Sequence, residues 1–137
     1  MNKINKTNIN SIVANVFKKH WIKSVVVKGR GQGKTLGFPT LNLKLKTSQH
    51  LVLGVYICKI KVKNRIYKGL LHYGPRPTFG RSKPGLEIHV LDFDKEIKPG
   101  KKIQFKLLKY LRKIRKFKTK EDLIKQIRKD IEISENS

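Results

Sequence analysis

Two short stretches carry residue types that do chemistry, at strand spacing. Thr40 and Asn42 stand two apart in Pro39-Thr40-Leu41-Asn42-Leu43, and Glu87 and His89 stand two apart in Leu86-Glu87-Ile88-His89-Val90. Residues i and i+2 of an extended chain share a face, so each pair is presented together while aliphatic neighbours take the other face. A threonine hydroxyl and an asparagine amide oxygen are hard, neutral donors of the kind Mg²⁺ accepts, its other positions being filled by waters and substrate phosphates. The same two side chains also suit plain solvent exposure. A carboxylate on a strand face suits a general base acting on a hydroxyl nucleophile, or a solvated or ion-paired side chain. Scarcity favours the first reading for Glu87: it is the first acidic residue in the chain. His89 suits a structural role, and no Cys/His spacing fits zinc.

Gly29-Arg30-Gly31-Gln32-Gly33-Lys34-Thr35 resembles a phosphate-binding loop only superficially. The Walker pattern requires glycine where Lys28 stands, and the dinucleotide fingerprint requires glycine where Lys34 stands. Either motif should open a helix, but Leu36-Gly37-Phe38-Pro39 follows and opposes one. What remains is a hairpin loop, or a mobile basic flap whose glycines let backbone N–H groups approach phosphates closely.

The charge is lopsided. The 137 residues carry 33 Lys+Arg and 9 Asp+Glu, a formal net charge of +24, and no acid occurs before Glu87. Such an excess attracts polyanions. It is compatible with lysine-rich compositional drift on a solvated surface, with a small polyphosphate ligand and with nucleic acid. It also confines any catalytic carboxylate to residue 87 or later. The single cysteine, Cys58, excludes an internal disulfide. No run reaches the ~18 apolar residues of a membrane span, and the N-terminus has no apolar signal core. A cytoplasmic, membrane-free, monomeric protein is the expectation.

The elements that must position these residues are mostly strands. A short N-terminal helix capped by Asn10 or Ser11 carries Ile12, Val13, Val16 and Phe17. Strands are predicted at 24–27, 39–45, 54–62, 66–73, 86–93 and 103–108, with Asn64-Arg65 and Pro99-Gly100 as turns. Gly74-Pro75-Arg76-Pro77-Thr78 is expected as a rigid loop. Thr119 and Asp122 begin a helix over about 119–133, with Leu123, Ile124, Ile127 and Ile131 on its apolar face. Strands followed by one helix suggest a small antiparallel barrel, or an open α+β sandwich. The expected organisation is an N-terminal extension, residues 1–21, and one barrel with its helix, residues 22–137.

Five ordered blocks across residues 22–132 resemble the riboflavin kinase (flavokinase) family. They are Gly33-Lys34-Thr35-Leu36-Gly37-Phe38-Pro39-Thr40-Leu41-Asn42-Leu43, Gly54-Val55-Tyr56, and Tyr73-Gly74-Pro75-Arg76-Pro77-Thr78-Phe79. The others are Leu86-Glu87-Ile88-His89-Val90-Leu91-Asp92-Phe93, and Tyr110-Leu111-Arg112 with Lys116-Phe117, Leu123, Ile127 and Asp130. The resemblance implies a mainly β fold: a six-stranded antiparallel Greek-key barrel with a C-terminal helix. It implies Mg²⁺-dependent transfer of the ATP γ-phosphoryl group to the 5′-hydroxyl of riboflavin, giving FMN and ADP. Flavin is then substrate and product, not a resident cofactor. Thr40 and Asn42 would hold Mg²⁺–ATP, and Glu87 would be the base. Gly29, Gly31, Gly33, Lys34 and Pro39 would border the nucleotide; Arg112, Phe117 and Leu123 would border the flavin. Lys113-Ile114-Arg115 departs from the family pattern, which has acidic residues or Pro-Glu there. Too few residues precede the first strand for an FMN adenylyltransferase domain, so no FAD synthesis is expected. The competing expectation is a basic barrel that binds flavin or nucleic acid without catalysis.

Overall fold

A computed structural model describes residues 5–29, 36–44 and 51–137, without the side chains of Val16, Phe79 and residues 81–83. The chain opens with helix α1 (Lys6–Ile12) and a π-helical turn (Val13–Phe17). The six strands are β1 (Ile22–Val27), β2 (Leu41–Leu43), β3 (Gly54–Val62), β4 (Arg65–Arg76), β5 (Arg81–Val90) and β6 (Lys102–Arg112). Pro77–Phe79 forms a 3₁₀ turn, and helix α2 (Lys120–Glu135) closes the chain.

The strands form a closed barrel in the order β1-β2-β5-β4-β3-β6, every neighbouring pair antiparallel. Closure removes both sheet edges and decides between the barrel and the open sandwich. Alternation then sorts each strand. Tyr56, Cys58 and Ile60 of β3 point inward with Leu71, Ile88, Phe105 and Leu107, all essentially buried. Val55 and Ile57 point outward, yet they are also buried, in a second cluster with Leu70 and Leu111. Ile131 of α2 and Ile114 pack on that outer cluster. Each such aliphatic burial contributes about 1.5–3 kcal/mol. The apolar face read from the helix spacing thus lies on the outside of the barrel, not inside it. Burial pushes the Cys58 thiol far above its usual range, leaving it no nucleophilic role.

Several boundaries differ from the sequence expectation. The first helix is capped by Asn5, whose side chain accepts from the Asn8 N–H, not by Asn10 or Ser11. Asn10 instead uses its Oδ1 to accept from the Tyr110 backbone N–H at 2.8 Å. Ile9 and Val13 join the barrel core. Strand β2 covers only three residues of the predicted 39–45. Gly74–Arg76, expected as a loop, continues β4 by pairing with β5 across a register shift. An irregular pair there tolerates Pro75, which has no N–H to donate. Thr119 caps α2 as expected, accepting from the Asp122 N–H at 3.1 Å.

Candidate active site

Pairing places the chemistry-bearing residues in one row on the outer wall. Asn42 of β2 stands opposite Glu87 of β5, and Glu87 stands opposite His72 of β4. The next row inward along the strands, Leu41, Ile88 and Leu71, faces the core. The alternation that buries the leucines therefore lines up the polar side chains across three strands.

Gly29, just past β1, lies against this row. A Cβ at Gly29 would sit 1.8 Å from Asn42 Nδ2 and 2.8 Å from its Oδ1. Only glycine permits the asparagine amide to occupy that place. His89 reaches the Pro39 carbonyl with Nδ1 at 2.8 Å, and its ring meets Phe38 edge-on at 5.8 Å. It braces the segment that carries Thr40, the structural role anticipated for it.

A cleft of about 590 Å³ opens beside the row, lined by Gly29, Pro39, Thr40 and Asn42 and by Phe93–Ile97 of the segment after β5. Its size is that of a cofactor or nucleotide site. Thr40 also lines a second cavity of about 50 Å³, which holds Glu87, His89, Arg76, Arg112 and Asp130. A third, of about 30 Å³, shares Arg76 and Arg112 and adds Thr78, Phe117 and Leu123. Of the residues expected to act, Gly29, Pro39, Thr40 and Asn42 are thus brought together. Arg112, Phe117 and Leu123 form a second group, reached past Glu87. Gly31, Gly33 and Lys34 lie outside the described residues.

Glu87 is only 6% exposed. Its Oε2 accepts from Arg76 Nε at 2.6 Å, and Arg76 Nη2 closes an ion pair on the same oxygen. Arg112 pairs with Asp130 of α2, Nη2 to Oδ2 at 2.8 Å, and Gln126 donates to Asp130 Oδ1 at 2.9 Å. The Phe117 ring lies 5.9 Å from the Arg112 guanidinium and 5.1 Å from that of Arg115, and its N–H reaches Thr78 Oγ1 at 3.2 Å. The departing Lys113-Ile114-Arg115 stretch has its own anchors: Ile114 packs on the outer cluster, and Arg115 donates to Gln126 at 3.1 Å. Arg76 and Asp130 received no role from sequence. The signal was faint: both stood inside recognised blocks, but nothing in spacing joins Arg76 to Glu87 or Asp130 to Arg112.

Among the described residues no group of three His, Cys, Asp or Glu could hold a metal ion. The neutral pair Thr40 and Asn42 at the cleft could hold one, with phosphate oxygens completing the shell. Among the described residues no helix is long and apolar enough to cross a membrane.

A closed six-stranded barrel with an outer-wall carboxylate beside a nucleotide-sized cleft is the flavokinase barrel. The riboflavin kinase family model matches residues 16–137, and the chain belongs to that family. It is 36% identical over 124 residues to a bifunctional riboflavin kinase/FMN adenylyltransferase of Bacillus subtilis, covering 86% of this chain and 39% of that protein. It is 40% identical over 111 residues to an RNA-binding riboflavin kinase of the same organism, covering 80% of this chain and 47% of the relative. The chain therefore spans less than half the length of these curated relatives. A solved structure described as a macrolide-efflux protein from Streptococcus pneumoniae superposes with a TM-score of 0.77 at 26% identity, covering 98% of this chain and 47% of that one.

Proposed function

We propose that this chain is a riboflavin kinase, transferring the γ-phosphoryl group of ATP to the 5′-hydroxyl of riboflavin to give FMN and ADP. The observation that carries the reading is the position of Thr40, which borders both the 590 Å³ cleft and the cavity containing Glu87. A nucleotide in the cleft would end where Thr40 and Asn42 can hold Mg²⁺ bound to its phosphates. That ion would neutralise charge on the transferring phosphoryl group. Glu87, one strand away and in register with Asn42, would orient the ribityl hydroxyl and take its proton. Arg76 fixes the carboxylate, and Arg112 adds positive charge to the same cavity. Phosphoryl transfer is mostly positioning and charge stabilisation, and these parts supply both.

The two cavities near Glu87 are far smaller than the ~300 Å³ and upward of ordinary small-molecule sites. Flavin entry therefore requires the segment around Arg112–Phe117 to move, as substrate-gated loops do. The riboflavin kinase family model covers residues 16–137, and the product proposed for them is FMN.

The test incubates the pure chain with riboflavin, ATP and Mg²⁺ and separates the flavins chromatographically, with EDTA in a parallel sample. Mg²⁺-dependent FMN without FAD is expected. Bound riboflavin with no FMN would mean a flavin-binding barrel without catalysis, and FAD would refute the single activity. Gly29→Ala, by displacing the Asn42 amide, should lower kcat/KM for Mg²⁺–ATP by up to ~10². An unchanged value would remove Asn42 from the metal site.

A further inference from the structure

The barrel wall opposite the kinase site has a composition the reaction does not use. In the strand order β6 stands diametrically across from β5, and the outward Lys59, Lys61, Gln104 and Lys106 line none of the three cavities around Thr40, Glu87 and Arg112. No acidic residue occurs in β1, β3, β4 or β6. Register sets lysines side by side there. Lys106, Lys59 and Lys68 form one row across β6, β3 and β4, and Lys23, Gln104 and Lys61 form the next across β1, β6 and β3. Like charges directly opposite on neighbouring strands destabilise a sheet. Lys68 relieves part of this by donating to the Ser134 carbonyl at the end of α2, at 3.2 Å. Lys59 is exposed.

Trp21, the only tryptophan in the chain, is half-buried at the margin of this wall. The amino groups of Lys61 and Lys106 each lie 4.8 Å from its ring centroid. Lysines spaced along and across strands beside one aromatic ring are the components of a single-strand binding surface: an unpaired base takes the place of an ammonium group over the ring, and the displaced ammonium meets a phosphate.

We infer that the outer face of β1, β6 and β3 binds single-stranded nucleic acid, with Trp21 as the stacking platform and Lys59, Lys61 and Lys106 on the phosphates. Charge complementarity carries the proposal. On this wall and its margin the exposed apolar residues are Val27 of β1, 37% exposed, and Ile66 of β4, 54% exposed and opposite Lys61, too little apolar surface to seat in a lipid interface.

Trp21 is also the reporter. A twelve-nucleotide oligouridylate titrated into the chain should change its fluorescence saturably. Lys59→Gln/Lys61→Gln/Lys106→Gln should weaken binding at least tenfold and reduce the slope of log affinity against log salt by about 2, three contacts at ~0.7 each. Relief of like-charge pairing should leave this variant melting no lower than the parent. Lys120→Gln/Lys125→Gln/Lys129→Gln removes equal charge from exposed positions on α2 and should weaken binding less than threefold. With a fluorescein-labelled strand, Trp21→Ala should cost at least fivefold. Equal losses in the two lysine triples, or a bound strand that leaves Trp21 fluorescence unchanged, would overturn the proposal. So would tighter binding of a duplex of the same length, or of phosphatidylserine vesicles, than of the single strand.

Discussion

Arg112 and Arg76 each hold a buried carboxylate beside the same cavity, but they hold it differently. Arg112 contacts both oxygens of Asp130, with Nε at 3.1 Å from Oδ1 and Nη2 at 2.8 Å from Oδ2, while Gln126 adds a further bond. Nε and Nη2 of Arg76 both meet Oε2 of Glu87. Asp130 is 2% exposed and belongs to α2, so its pair ties the helix to β6. Glu87 sits mid-strand opposite Asn42, on the wall that faces the cleft. A carboxylate gripped through both oxygens serves as a fastener. Glu87, mid-strand and in register with Asn42, stands where the proposed reaction needs its base.

The sharpest way to break this comparison is to remove each charge in turn. Glu87→Gln should lower kcat for FMN formation by ~10²–10⁴ while moving the urea unfolding midpoint less than Asp130→Asn does. Asp130→Asn should cost about 3 kcal/mol of folding stability, because breaking a buried pair leaves the Arg112 charge uncompensated. Its kcat per folded molecule should fall far less than that of Glu87→Gln. If Asp130→Asn abolished turnover without shifting the unfolding curve, the two roles would be exchanged. Thr119→Ala should show a smaller effect of the same kind as Asp130→Asn, about 1 kcal/mol from the lost N-cap. Denaturant titration that found no loss would mean α2 is held by its ion pair and apolar contacts without help from its cap.

Legibility from sequence followed how local the determining interaction is. Strand β3 was read end to end from Gly54 and the alternation that runs through it, although the turn after it, read as Asn64-Arg65, is Lys63-Asn64, with Arg65 already paired to Val62. Asp122 donates to Thr119 within one turn, and that helix start was equally plain. The extension of β4 through Gly74–Arg76 was missed because two prolines signal a loop, and only pairing with β5 overrides that signal. The N-terminal cap was placed too late because Asn10 looked like a capping residue, whereas its partner is Tyr110, a hundred residues away. Glu87, Thr40 and Asn42 were singled out from chemistry, scarcity and family resemblance. That Glu87 would be paired with Arg76 was not.

Period-two alternation, the acid-free first half and the motif blocks are properties of the chain alone, and they already specify strands, a basic protein and the residues worth testing. Which wall each strand joins is a different matter. The opposition of Asn42 to Glu87, the stacking of Lys106, Lys59 and Lys68 in one row, and the grip of Arg112 on Asp130 exist only once the barrel closes. Inter-strand register is set by side-chain packing between segments far apart in the chain, and a slip of one residue would turn every one of those side chains to the other face.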